Sequence, residues 1–134
     1  MKIVINVCYG GFGLSISGIL RYAEIRGIKL YPYKENGFGD KAKIKPHTGK
    51  QNIFIHWATK RGIKTSKELN DYYFNDKSIE RTDPILIQVV EEMGKKASGS
   101  LSELKVIEIP DGVDWEIGEY DGIEHIDEKH MTWG

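Results

Sequence analysis

The run Cys8-Tyr9-Gly10-Gly11-Phe12-Gly13-Leu14-Ser15 carries the most chemical content in the sequence. Glycines let a backbone come close to a ligand. A helix starting just after them offers free N–H groups and a positive dipole end to an anion such as phosphate. The spacing is neither G-x-G-x-x-G nor the P-loop pattern, and no lysine directly follows Gly13. The same glycines suit a tight strand-to-helix turn with positive φ, so a ligand-facing turn and a structural one both stand. In the first reading Gly10, Gly11, Gly13 and Ser15 approach phosphate while Tyr9 and Phe12 stack on a base. In the second the aromatics belong to the core.

Other reactive residue types offer weaker patterns. The tail concentrates Asp121, Glu124, His125, Asp127, Glu128 and His130, a carboxylate-imidazole vocabulary that metals use. The zincin pattern H-E-x-x-H is absent, and a solvated acidic face competes with a metal site. Cys8 ends an apolar run, which suits a small buried side chain as well as a nucleophile. Sequence places neither His56, His125 nor His130 beside it as a base. His47 falls in a basic, solvated stretch, and His56 lies between Ile55 and Trp57 as an outward strand residue or a pocket wall. Arg81, two residues before a helix-capping Asp83, suits a bidentate anion contact, with a salt bridge to an acidic partner as the alternative.

These residues need elements to position them. KIVIN with Val7 reads as a buried strand, and residues 14–27 as a helix capped by Ser15 or Ser17 and stopped by Gly27. Gly18 weakens that helix by about 1 kcal/mol relative to alanine. Residues 28–33 return as a strand that Pro32 confines to an edge or an end. Residues 34–52, with five lysines, read as a basic flexible loop or insertion. Residues 53–58 form a strand with 71–75 as a partner, unless the capping box of Thr65 and Glu68 builds a helical turn between them. The clearest helix spans 84–96, with Asp83 as N-cap, Pro84 at the first position and Ile85, Leu86, Val89, Val90 and Met93 on one face. Strands at 104–110 and 113–120 flank the turn Pro110-Asp111-Gly112, and the tail carries a short helix or strand. The expected fold is α+β: a single domain with a mixed or antiparallel sheet of about four to six strands and two main helices.

Composition bounds the rest. The 134 residues and 40% apolar content suffice for one core. No apolar run approaches the roughly 20 residues that span a bilayer, and the start is a poor secretory signal. One cysteine excludes an internal disulfide framework and fits a reducing cytoplasm. A net charge of −1 hides a division: residues 1–67 hold 13 lysines and arginines against three acids, residues 68–134 six against 17. Such asymmetry fits an anion-binding surface, or halves or subunits that complement each other. The near cancellation within one chain argues against nucleic acid as partner.

Three segments together resemble a family of small phage and prophage proteins: CYGGFGLS, the central R-T-D-P with its helix ending VVEEMG, and EIPDGVDWEIGEYDGIEHIDEKHMTW. The likeness covers residues 2–26 and 79–133. The chain departs from the family pattern at Met131, where the pattern has arginine, and at Ile16 and Ser17, where it has acids. The pattern also includes Tyr9, Arg81, Tyr120 and His125, which cap and turn chemistry does not explain. The resemblance implies an accessory protein acting in the cytoplasm of an infected bacterium against host defence. One route is sequestration by a homo-oligomer of a nucleotide immune signal, such as a cyclic ADP-ribose-type molecule or a cyclic oligonucleotide, without turnover. The ligand-binding set is then Tyr9, Gly10, Gly11, Phe12, Gly13, Ser15, Arg81, Tyr120 and His125, with no cofactor, metal or membrane. The alternatives are a protein-binding inhibitor of a host defence enzyme and a metal-dependent phosphoesterase. The lack of an ordered catalytic constellation ranks the enzyme last.

Overall fold

The computed structural model describes residues 1–36, 43–46 and 55–129. His47, His130, Met131 and parts of the basic 34–52 stretch lie outside these residues. The fold is α+β, with all strand pairing antiparallel, and its contacts form two compact units: Met1–Tyr22 with Asp76–Gly134, and Ala23–Asn75.

In the first unit, β1 (Lys2–Asn6) pairs with β5 (Leu104–Glu108) in the register Val4↔Val106. Its β-branched residues Ile3, Val4 and Ile5 are buried, as the apolar run requires. Helix α3 (Pro84–Met93) packs on both strands through Leu86, Val89 and Val90. Asp83 caps it, accepting from the backbone N–H of Ile85 at 2.8 Å and Leu86 at 3.4 Å, and Gly94 at φ 59° ends it. The expected helix to residue 96 therefore stops at Met93, and a short 3-10 turn, Gly94–Ala97, follows.

Helix α1 (Ile16–Arg26) begins at Ser15, whose Oγ accepts from the Gly18 N–H and donates to the Lys96 carbonyl. A Cβ at Gly18 would lie 3.0 Å from the Ala97 carbonyl oxygen, so this glycine, costly to a helix in isolation, permits a close backbone approach. The Tyr22 hydroxyl donates to Asp83 at 2.7 Å, joining α1 to the α3 cap. Arg21 forks onto Glu92, and that hydrogen bonding holds the Glu92 carboxyl below the usual glutamate range. Both side chains are substantially exposed, so solvent and salt screen the pair. The hairpin of β6 (Trp115–Tyr120) and β7 (Ile123–Glu128) turns through Asp121 and Gly122, both at positive φ, as a two-residue hairpin of primed type demands. The tail thus resolves as a strand.

In the second unit, β2 (Tyr31–Asn36) is central, flanked by β3 (Lys43–Pro46) and β4 (His56–Ala58). Pro32 sits at the start of β2, opposite Trp57. The stretch read as a basic loop supplies the end of β2 and all of β3. Tyr33 and Ile44 alternate inward while Lys34 and Lys45 point out, a period of two hidden by the lysine content. Helix α2 (Ser66–Tyr72) is a third helix beyond the two expected, and Thr65 caps it through the Glu68 N–H. The strand partnership expected of 71–75 shrinks to one bridge, Ala58↔Tyr73. Tyr33, Ile44, Ala58, Ile63 and Leu69 form this unit's core. Among the described residues, seven strands lie in three small sheets rather than one. Among the described residues no helix is long and apolar enough to cross a membrane.

Asp83→Ala removes both the α3 cap and the acceptor for Tyr22, so it should cost about 1–2 kcal/mol in urea unfolding. Asp83→Asn, which can still cap, should cost less.

Candidate functional site

The glycine turn follows β1 directly, and what it meets there is protein. Asn6, the last residue of β1, is fully buried. Its Nδ2 donates to the carbonyls of Cys8 and Gly122 at 2.8 and 2.7 Å, and its Oδ1 accepts from the Glu103 N–H at 2.8 Å. Its own N–H donates to Glu124 Oε1 at 2.8 Å. One amide side chain therefore ties together β1, the glycine turn, the β6–β7 turn and the approach to β5.

The glycines serve the same junction. A Cβ at Gly10 (φ 121°) would come within 2.4 Å of the Leu101 carbonyl oxygen. A Cβ at Gly122 would lie 2.5 Å from the Gly11 nitrogen, so the two turns press backbone against backbone. The Gly10 N–H donates to the Asp121 carbonyl, and the Gly13 carbonyl accepts from Gly99 and from Ser102 Oγ. Leu14 donates to Asp76, and Ser15 is taken up in capping α1. The donors expected to cradle phosphate thus include several already spent on the chain itself.

Arg81 is engaged as well. Its guanidinium forms a fork on Glu124, Nη1 to Oε1 at 2.5 Å and Nη2 to Oε2 at 2.8 Å, with Nη1 also 3.3 Å from the Val4 carbonyl. The guanidinium carbon lies 3.8 Å from the centre of the buried Phe12 ring. At 18% and 8% exposure, Arg81 and Glu124 form an interior ion pair stacked on an aromatic face. Of the two readings of Arg81, the salt bridge to an acidic residue is the one present.

The remaining sequence candidates face outward. Tyr9 and Tyr120 are 68% and 72% exposed, and they adjoin the Gly10–Asp121 contact from either side. His125 is exposed on β7, lying where a Cβ of Gly118 would be, with Nε2 2.9 Å from Asp127. Strand alternation puts Glu124 and Glu128 on the face of the hairpin opposite His125 and Asp127, so the tail's acids divide between two faces and only Asp127 meets the imidazole. Among the described residues no group of three or more His, Cys, Asp or Glu is arranged to hold a metal ion. The Cys8 thiol contacts oxygens of Asn6, Tyr9 and Leu101. His56 lies in the other unit, edge-on to Tyr73.

That other unit contains a concave site the sequence did not reveal. A groove of about 450 Å³ has a floor of Tyr31, Tyr33, Ile44 and Ile63, with Arg61 and Lys64 at its edge. This volume lies within the range of small-molecule pockets. The Arg61 guanidinium stands 5.7 Å from the Tyr31 ring centre. Tyr33 is locked beneath, its hydroxyl donating to the Lys60 carbonyl and accepting from the Ile63 N–H. Its two contributing runs, Tyr31-Pro32-Tyr33 and Arg61-Gly62-Ile63-Lys64, are separated in sequence and carry no pattern that joins them.

Charge separates along the same division. The Ala23–Asn75 unit has 11 lysines and arginines against five acids, and the other unit eight against 15. Around the glycine junction Glu103, Glu119 and Asp121 are exposed, a setting that opposes an anion, whereas the groove lies in the basic unit. The chain matches no family model, no curated protein and no solved structure.

Arg81→Met leaves Glu124 charged and buried, so it should cost about 3–5 kcal/mol in urea unfolding. The double variant Arg81→Met with Glu124→Leu removes both charges and should recover part of that loss, even though the Asn6 N–H loses an acceptor. A double variant no more stable than Arg81→Met alone would contradict this account of the pair.

Proposed function

We propose that the chain is a phage accessory protein that counters bacterial defence by binding a nucleotide-type immune signal in the cytoplasm and holding it intact. The observation that carries this reading is the groove of the basic unit, where an aromatic floor meets two cations. A nucleotide combines a planar apolar base with an anionic phosphate. Tyr31 offers a stacking face, Arg61 a planar guanidinium and Lys64 a compact charge, so each part of such a ligand finds a complement.

The resemblance of residues 2–26 and 79–133 to a phage family supports the biological setting. The groove supports the ligand class, and on this reading the binding residues are Tyr31, Arg61 and Lys64 rather than the glycine turn. Sequestration asks only for affinity. A cyclic ADP-ribose-type molecule and a cyclic oligonucleotide both have the required chemistry, and neither is distinguished by two cations alone.

Native mass spectrometry with these two ligand types tests the reading. A discrete adduct that leaves unchanged on denaturation is the expected result. Arg61→Glu with Lys64→Glu should weaken binding by about tenfold or more, since charge-assisted contacts to phosphate become repulsive. Absence of any adduct, or recovery of a cleaved ligand, would overturn it.

A further inference from the structure

Among the described residues, Tyr9, Leu101 and Tyr120 are the most exposed large hydrophobic side chains, at 68%, 71% and 72%. They come from three separate parts of the acidic unit, yet all adjoin one backbone junction. Gly10 touches the Leu101 backbone and bonds to the Asp121 carbonyl, so its neighbours in sequence and space are these three residues. The junction is rigid: Asn6 is saturated with hydrogen bonds, and Gly122 leaves no room for a side chain against Gly11. A fixed backbone presenting two tyrosines loses little freedom on docking, and tyrosines serve well as interface anchors. Glu103 and Asp121 adjoin this apolar centre along the chain and through the Asn6 and Gly10 hydrogen bonds, and both are exposed. Its partner must therefore be basic.

A complementary surface exists on every copy of this chain. In the basic unit Lys34 and Lys45 stand directly opposite each other across β2 and β3, and both are exposed. Like charges in directly opposed positions destabilise a sheet, and carboxylates from another molecule would relieve that repulsion. These lysines alternate with Tyr33 and Ile44, so they occupy the face of the strands opposite those two groove residues. Pairing two identical acidic patches would instead set carboxylate against carboxylate.

We propose that the surface of Tyr9, Leu101 and Tyr120, with Glu103 and Asp121 beside it, docks on the Lys34 and Lys45 face of a second copy. The contact is heterologous, joining different surfaces on the two molecules, and so it can extend to a closed ring. The inference is independent of what the groove binds.

Sedimentation velocity on the full chain, over a concentration series at low and high salt, tests it. Self-association at low salt should weaken by about tenfold or more in high salt, because exposed charges are screened. Tyr9→Ser with Tyr120→Ser should weaken it similarly while leaving the circular dichroism spectrum unchanged, both residues being exposed. Glu103→Lys with Asp121→Asn, and separately Lys34→Glu with Lys45→Glu, should each abolish self-association, and mixing these two variants should restore a complex. A chain that stays monomeric throughout would overturn the proposal. So would an oligomer indifferent to the tyrosine variant, or swapped variants that fail to pair.

Discussion

The buried fork of Arg81 on Glu124 is the constraint on which the acidic unit is arranged. A carboxylate at this depth is costly unless its lone pairs are met. Here they are met by two guanidinium nitrogens and the Asn6 N–H, while the other face of the guanidinium rests near Phe12. Those partners come from β1, the glycine turn, the approach to α3 and β7. Satisfying one charge therefore fixes how four segments meet. The same hydrogen-bond set leaves Asn6 able to clamp Cys8 and Gly122, and the two glycine-containing turns then close on each other.

This arrangement changes what the glycine turn is for. Glycine is needed at residues 10 and 122 because another main chain comes close. The turn then acts as a rigid mount whose outward products are Tyr9 and Tyr120. The positive charge is concentrated in the Ala23–Asn75 unit, and a groove there is lined by Tyr31 and Tyr33. Aromatic and cationic groups there stand on paired strands and a short ordered segment. The proposed division of recognition and presentation between the units rests on how charge divides between them.

Local signals in the sequence were legible where local physics decides. The Asp83-Pro84 start of α3, the Thr65 cap of α2 and the Gly27 end of α1 each depend on residues within one helical turn, and each is found. The α+β class follows from such elements. Long-range pairing was less readable. Asn6 at the end of an apolar strand carries no sign that four partners will converge on it. Glu124 reads as one acid among several until the hairpin register turns it inward and His125 outward. Lysines hid the alternation of β2 and β3, because a strand needs only its inner residues to be apolar. The groove was invisible for a similar reason: Tyr31 and Lys64 are brought together only by the sheet and the segment that crosses it.

The central claim is that the glycine turn is structural and that ligand recognition belongs to the basic unit. Backbone amide NMR of the full chain, titrated with a cyclic ADP-ribose-type molecule and then with a cyclic dinucleotide, addresses both parts at once. The account predicts saturable shifts at Tyr31, Arg61, Gly62, Ile63 and Lys64, with Gly10, Gly11 and Gly13 unmoved. Shifts centred on those three glycines, with the groove amides silent, would contradict it.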